Sequence, residues 1–159
     1  MDFGRDGQEA IRSSRVLVVG AGGLGCPVIQ YLAAAGIGTL GIADYDVVEL
    51  SNLQRQVIYG EADVGRSKAE LAGAYAARLH TETDVKIINS RITADNVQQI
   101  VYDFDIVVDC TDNFPTRYHL NDACVLEGKS MVYGSLFRFE GQVSVFNAPQ
   151  QNGNRGPNY

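Results

Sequence analysis

Paired cysteines, long apolar runs and an excess of positive charge are all missing from this sequence of 159 residues. Its three cysteines, Cys26, Cys110 and Cys124, form no C-x-x-C pair, so the sequence predicts no zinc site. We interpret each of them as a small buried hydrophobic residue in a reducing compartment. No apolar run approaches the length of a membrane span, and the polar N-terminal segment is unlike a signal peptide. These absences favour a cytoplasmic protein with no membrane partner.

The charge balance excludes a further class of partner. A formal net charge of −6 and an isoelectric point of about 4.8 argue against nucleic acid, because phosphate backbones bind to basic surfaces. A nucleotide is still compatible with this charge, since it needs only one or two local cations. The length and a hydrophobic content of 45% predict a single domain, residues 1–159, with a core of its own.

The apolar pattern alternates between strands and helices. This alternation predicts an α/β fold with a Rossmann-like, doubly wound and mostly parallel sheet. Residues 139–146 alternate apolar and polar side chains, which indicates either an antiparallel strand pair or one bent strand near the C-terminus. The polar residues 149–159 are interpreted as a loop that does not pack on a core. The predicted strands are 16–19, 39–43, 85–88, 106–108 and 131–133, and the predicted helices are 26–35, 67–80, 94–101 and 115–127.

A glycine-rich turn follows the first strand. Glycines at this place let backbone N–H groups approach an anion, and the next helix adds the positive end of its dipole, roughly half a charge. Asp44 ends the second strand, where an acidic residue binds ribose hydroxyls. Together these features predict a nucleotide site without naming the nucleotide. For Gly25 alone, close packing of helix against strand is an equal alternative. The loop glycines are Gly20, Gly22, Gly23 and Gly25.

Two cations beyond the loop favour one nucleotide over another. A nicotinamide dinucleotide carries only a bridging pyrophosphate, whereas ATP carries more negative charge to neutralise, so Arg55 and Lys68 favour ATP. The S-x-x-E pattern from Ser67 to Glu70 is a capping box that puts Lys68 in the first turn of a helix. A lysine exposed to solvent at a helix end is the alternative for Lys68 taken alone.

Asp112 follows the strand predicted at 106–108. Ligands of open parallel sheets lie beyond the carboxyl ends of the strands, so a carboxylate there is suited to bind magnesium beside a triphosphate. The alternative is that Asp112 or Asn113 caps the following helix, and one residue can serve both purposes.

Four motifs, GAGGLG, ADYDVVELSNLQRQ, VGRSK and DCTDN, resemble in order and spacing those of the ThiF/MoeB/HesA family. The family is related to the activating enzymes of ubiquitin-like proteins, and RFEGQVSVF resembles its closing strands. The resemblance covers about residues 7–148 and favours the MoeB-like branch of molybdenum cofactor biosynthesis, with thiamine and tRNA-thiolation relatives as alternatives. It implies ATP- and Mg²⁺-dependent adenylation of the C-terminal glycine of a β-grasp sulfur-carrier protein ending in Gly-Gly, with release of pyrophosphate.

The resemblance also implies roles for residues. The glycine loop, Asn52, Arg55 and Lys68 are implied to bind phosphate. Asp44 is implied to bind the ribose, and Asp112 to bind magnesium. Arg55, Lys68 and Asp112 are the implied catalytic residues. Further nucleotide contacts and a lower-ranked acid complete the implied site: Ser51, Gln56, Asn113 and Asp46.

The chain departs from the family pattern at both ends. Family members commonly donate an N-terminal arginine across a homodimer, and Arg5 does not stand at the matching place. The family's zinc-binding cysteine pairs are also absent from this sequence. We therefore expect a homodimer-forming fragment of the family domain, with 149–159 as its truncation point, or a shortened relative. An NAD-dependent oxidoreductase and a non-catalytic nucleotide-binding module are the alternative functions.

Overall fold

Six strands form one sheet in the computed structural model, which describes residues 4–151 and 153–159. In chain order the strands are β1 (Arg15–Val19), β2 (Thr39–Ala43), β3 (Asp84–Ile88), β4 (Ile106–Asp109), β5 (Ser130–Phe137) and β6 (Glu140–Phe146). They lie side by side in the order β3-β2-β1-β4-β5-β6. The first five strands are parallel, and β6 is antiparallel to β5. The predicted fold class is confirmed.

Helices cover both faces of this sheet. They are α1 (Gly4–Ser13), α2 (Gly25–Ala34), α3 (Lys68–Leu79), α4 (Val97–Tyr102) and α5 (Phe114–Leu126). Val16 and Val18 of β1 pack in one buried cluster with residues of α2 and α3. Leu17 and Val19 point the other way, into a second cluster with residues of α4 and α5. A continuous apolar run such as β1 is what a strand buried on both faces requires.

The order of the strands creates the place for a site. β1 pairs with β2 on one side and with β4 on the other. The strands that follow β1 therefore extend the sheet first on one side, with β2 and β3, and then on the other, with β4, β5 and β6. The loops after β1 and β4 lie side by side, but the helices that follow them, α2 and α5, diverge to opposite faces of the sheet. In open parallel sheets this divergence leaves a crevice in which ligands bind.

The structure differs from the predicted elements at the two ends of the described chain. α1 was not predicted, because its sequence is mostly polar and the apolar contact that holds it, between Ile11 and the first cluster, leaves no periodic pattern. β5 runs further than predicted, and of the predicted segment 139–146, residues Glu140–Phe146 form one strand, β6, in a hairpin with β5. The prediction that 149–159 do not pack on a core is wrong for Tyr159, whose ring lies 5.2 Å from that of Tyr133. Residue 152 lies outside the described residues.

The described residues contain neither a membrane-spanning helix nor a cluster of metal-binding side chains. No helix within 4–151 or 153–159 has the length and apolar character needed to cross a membrane. In the same residues, no three side chains of histidine, cysteine, aspartate or glutamate cluster in a way that could hold a metal ion.

Candidate active site

A large cleft opens at the carboxyl ends of the strands, with a volume of about 930 Å³. Its walls are the loop after β1, the end of β2 with residues 44–47 that follow it, residues 110–114 after β4, and side chains of β5 and β6. Gly25 and Ser51, both within the described residues, are not part of its lining. The other predicted site residues line the cleft: Gly20, Gly22, Gly23, Asp44, Asp46, Asn52, Arg55, Gln56, Lys68, Asp112 and Asn113.

The glycine loop is packed against the loop after β4. Gly20 has a φ of +93°, and a Cβ there would lie 2.8 Å from the carbonyl oxygen of Cys110. Glycine is therefore required at this position for both conformation and space. The side chain of Leu24, at the N-cap of α2, accepts no hydrogen bond. The N–H of Cys26 already donates to the carbonyl oxygen of Gly22 at 2.9 Å, and Pro27 has no N–H, so the start of α2 itself offers few N–H groups to an anion.

Gly25 has a structural role. A Cβ on Gly25 would lie 1.8 Å from the carbonyl oxygen of Gly20, well inside contact distance. Of the two roles considered for this residue, the structure supports the packing of helix α2 against the end of β1. Gly25 is therefore better described as the residue that lets α2 pack closely against the loop after β1 than as a nucleotide contact.

Asp44 holds the glycine loop from the opposite side. One carboxylate oxygen accepts a hydrogen bond from the N–H of Ala21 at 2.7 Å, and the other accepts from the N–H of Asp46 at 2.8 Å. Burial raises the pKa of Asp44, while these two hydrogen bonds and nearby Lys68 act in the opposite direction. Each carboxylate oxygen keeps further lone pairs, so Asp44 can still accept hydrogen bonds from ribose hydroxyls.

Lys68 is buried, so the alternative of a lysine exposed to solvent is wrong. Its side chain is only 7% exposed, and its Nζ atom lies 3.4 Å from Oδ2 of Asp46 at the cleft. Ser67 precedes it as the N-cap of α3 and accepts a hydrogen bond from the N–H of Glu70, as the capping pattern predicts. The helix start thus fixes the backbone of Lys68 and directs a buried cation to the cleft.

Tyr59 connects Lys68 to the glycine loop. Its hydroxyl oxygen lies 2.8 Å from the carbonyl oxygen of Ala21 and 3.2 Å from that of Lys68, both within hydrogen-bonding distance. Burial raises the pKa of this phenol, so it is protonated and can donate. No sequence motif singles out Tyr59, because its partners are backbone atoms from two distant segments.

The segment after β2 adds a second cation. Atoms Cγ and Cδ of Arg55 lie 3.5 Å from where a Cβ of Gly23 would be, so the arginine extends over the loop. Its Nη1 donates to the carbonyl oxygen of Ser51 at 3.3 Å. Gln56 is buried beside Gly22, and its Oε1 has no hydrogen-bond partner within the described residues. These contacts leave polar groups at the cleft that a ligand can engage.

The loop after β4 separates the roles of two neighbouring residues. Asn113 is the N-cap of α5, because its Oδ1 accepts a hydrogen bond from the N–H of Thr116 at 3.1 Å. Asp112 is exposed and lines the cleft. The capping role considered for either residue therefore falls to Asn113, which leaves the carboxylate of Asp112 available.

Sequence reasoning missed a buried ion pair below this loop. Asp109 is completely buried, and its Oδ2 lies 3.4 Å from Nε of Arg117 in α5. Burial raises the pKa of Asp109, and the hydrogen bonds from Thr111 and the charge of Arg117 lower it. The available signal was weak: an aspartate directly after an apolar run, and an arginine one helical turn beyond an N-cap.

The three cysteines are free thiols. Burial raises the pKa of Cys26 to about 11 and that of Cys110 and Cys124 to about 12, so all three are protonated and poor nucleophiles near neutral pH. Cys26 and Cys124 are buried, as predicted, whereas Cys110 is partly exposed and lines the cleft.

The sequence of the chain also matches a known protein family. The model of the ThiF family matches residues 1–156. The chain belongs to the ThiF family. The expected family resemblance is confirmed.

Relatives in the ThiF family carry informative names. The chain is 54% identical over 145 residues to the probable adenylyltransferase/sulfurtransferase MoeZ of Mycobacterium tuberculosis, covering 91% of this chain and 37% of MoeZ. It is 49% identical over 156 residues to the sulfur carrier protein adenylyltransferase of Thermus thermophilus, covering 98% of this chain and 58% of that protein. The mouse adenylyltransferase and sulfurtransferase MOCS3 is 50% identical over 145 residues, covering 91% and 32%. The chain thus spans one third to three fifths of the length of these relatives.

Two solved structures share the ThiF-type architecture. PaaA superposes with a TM-score of 0.80 and 26% identity, covering 89% of this chain and 44% of PaaA. TcdA (CsdL) gives the same TM-score and identity, covering 86% of this chain and 58% of TcdA.

Proposed function

We propose that this chain is the ATP-binding adenylation domain of an enzyme that activates the C-terminal glycine of a ubiquitin-like sulfur-carrier protein. The names of relatives at 49–54% identity support this proposal, since they describe adenylyltransferases and, in one case, a sulfur carrier as the substrate. The name MOCS3 supports the further proposal of a role in molybdenum cofactor synthesis. We also propose that the protein acts in the reducing environment of the cytoplasm, which its three free cysteines support. We further propose that it forms the homodimer that the family resemblance implies.

The observation that carries the proposal is the meeting of two cations and the glycine loop in one cleft. Lys68 and Arg55 come from different segments, and both line the cleft beside Gly22 and Gly23. A bridging pyrophosphate would need only the loop and the start of α2. Two additional cations favour a triphosphate, because each further phosphate group adds negative charge that must be neutralised.

The reaction follows from these positions. A carboxylate oxygen of the carrier's C-terminal glycine attacks the α-phosphorus of ATP, and the bond from that phosphorus to the bridging oxygen of pyrophosphate breaks. The products are the acyl-adenylate and pyrophosphate, so atoms and electrons balance. We assign phosphate oxygens to the loop N–H groups, Lys68 and Arg55, and ribose hydroxyls to Asp44. Such catalysis consists mainly of positioning and charge neutralisation.

Magnesium fits the donor set of the cleft. The carboxylate of Asp112 is exposed to the cleft at the carboxyl end of β4. Mg²⁺ usually takes one or two protein carboxylates, and phosphate oxygens and waters fill the other positions. We therefore propose Asp112 as the protein ligand. The bound ion would withdraw charge from the phosphate oxygens when ATP is present.

The decisive experiment is ATP–pyrophosphate exchange with magnesium and a Gly-Gly-tailed β-grasp carrier. We expect carrier-dependent exchange by this chain, and we expect Arg55→Ala to lower its rate about a hundredfold or more, as for the loss of one preorganised charge-stabilising donor. Arg66→Ala is the matched control, because Arg66 is exposed, pairs with Asp63 and lies outside the cleft lining. It should exchange at the rate of the unsubstituted chain.

Each outcome decides between functions. Tight ATP binding without exchange would contradict the adenylation activity and support the non-catalytic nucleotide-binding module. Preference for NAD over Mg·ATP in a binding titration would support the oxidoreductase. An unchanged exchange rate in Arg55→Ala would remove Arg55 from the phosphate site.

A further inference from the structure

The loop that carries Asp112 is fixed on both sides of that residue. On its C-terminal side, Asn113 caps α5 through the N–H of Thr116. On its N-terminal side, Thr111 donates through its N–H at 2.9 Å and through its hydroxyl at 2.6 Å, both to Oδ1 of Asp109. Two anchored neighbours leave the backbone of Asp112 little freedom, although its own side chain is exposed.

Arg117 adds a third restraint from below the loop. Its Nη2 donates to the carbonyl oxygen of Thr111, and its Nη1 lies within hydrogen-bonding distance of the hydroxyls of Tyr133 at 3.2 Å and Ser135 at 3.3 Å. The guanidinium also lies 4.8 Å from the centre of the Tyr133 ring. Arg117 is only 5% exposed, so these contacts are shielded from water. The arginine thereby connects the loop after β4 to strand β5.

Asp109 and Arg117 depend on each other. Both side chains are buried. Oδ2 of Asp109 and Nε of Arg117 make no hydrogen bond to the described residues, and these two atoms lie 3.4 Å apart. A buried ion pair of this kind is a weak source of stability, because the desolvation of two charges offsets their attraction. A contribution to folding stability therefore does not by itself explain why the chain has this buried ion pair. Its contacts converge instead on Thr111, next to the proposed magnesium ligand.

We propose that Arg117 and Asp109 are positioning residues that hold Asp112 in place to bind the metal ion of Mg·ATP. This inference rests on the proposed function for the identity of the ligand. The mechanism is that of outer-shell partners in metal sites, which orient a ligand and change metal affinity about 10–100-fold when they are removed. The contacts of Asp109 and Arg117 with Thr111 also support the glycine loop, because Gly20 packs against the carbonyl group of Cys110, beside Thr111.

The test is a titration of Mn²⁺, used in place of Mg²⁺, into the ATP-saturated protein with detection by electron paramagnetic resonance. Arg117→Lys keeps the charge that Asp109 needs and loses the fork of donors. We expect it to weaken Mn²⁺ binding about tenfold. Affinity for ATP in EDTA, without metal, should stay unchanged. Arg78→Lys is the matched control, because Arg78 is an exposed arginine over a tyrosine ring in α3, outside the cleft lining.

Three results separate the possibilities. Equal Mn²⁺ affinity in Arg117→Lys and in the unsubstituted chain would overturn the positioning role, whatever the melting temperature. If Arg117→Lys does not fold, Thr111→Val decides, since it removes one hydrogen bond to Asp109 and should weaken Mn²⁺ binding about fivefold. An unchanged Mn²⁺ affinity in Thr111→Val would also overturn the role. If the unsubstituted chain shows no carrier-dependent exchange, only the proposed function is rejected, because the Mn²⁺ titration does not need turnover.

Discussion

Replacement of Lys68 by methionine should lower ATP–pyrophosphate exchange about 10²–10³-fold, the effect of removing one preorganised donor from a charge-stabilising site. The ammonium group is buried at the cleft, and water there cannot easily take its place, because the side chain is only 7% exposed. Methionine has a similar length and no charge, so the substitution removes the cation while it keeps most of the packing.

The loss should be one of function and not of folding. The partner of Lys68, Asp46, has a side chain that is 52% exposed, so water can hydrate its carboxylate once the lysine is gone. We expect the melting temperature of Lys68→Met to stay close to that of the unsubstituted chain. Lys86→Met is the control, because Lys86 is an exposed lysine that pairs with Asp84 on β3. Near-normal exchange in Lys68→Met would contradict the phosphate role.

Substitution of Gly25 by alanine should have the largest effect on stability. The added methyl carbon would lie 1.8 Å from the carbonyl oxygen of Gly20, and a backbone atom cannot move aside as a side chain does. Overpacking of this kind costs about 3 kcal/mol or more, which lowers the melting temperature by about 10 °C in a domain of this size. Thermal unfolding followed by circular dichroism measures the change.

Gly60→Ala is the matched control for that experiment. A Cβ on Gly60 meets no heavy atom within 4 Å, and its φ of −127° is open to any residue. It should unfold at the same temperature as the unsubstituted chain or slightly above it. A stable Gly25→Ala variant with normal ATP affinity would show that the close packing of α2 against the end of β1 is not needed for the site.

The sheet and its central loops were predictable because their signals are local. A buried strand, a glycine turn and a helix follow one another within residues 15–34, and the apolar pattern alone orders them. Lys68 shows the limit of that reasoning. Its capping box placed it in the first turn of a helix, but its burial depends on Asp46 and on the packing around Tyr59, which no local pattern describes.

The parts that sequence reasoning missed all depend on distant contacts. Arg117 looks like any helical arginine until α5 packs against β4 and β5, where it reaches Asp109 and Tyr133. Tyr159 looks like the end of a polar loop until its ring stacks beside that of Tyr133. The roles of the individual site residues stay predictions, because each is a statement about a ligand.

The order of the strands also has a consequence for synthesis on the ribosome. The glycine loop precedes Asp112 by about ninety residues, and β1 pairs directly with β4 in the middle of the sheet. While the chain grows, β1 can pair with β2, but its other edge stays open and apolar until β4 emerges. Open strand edges are prone to aggregate, and pairing between distant segments is slow. A nascent chain that has emerged only through α3 therefore has the glycine loop without its opposite wall, and one apolar edge of its sheet stays open to wrong pairing.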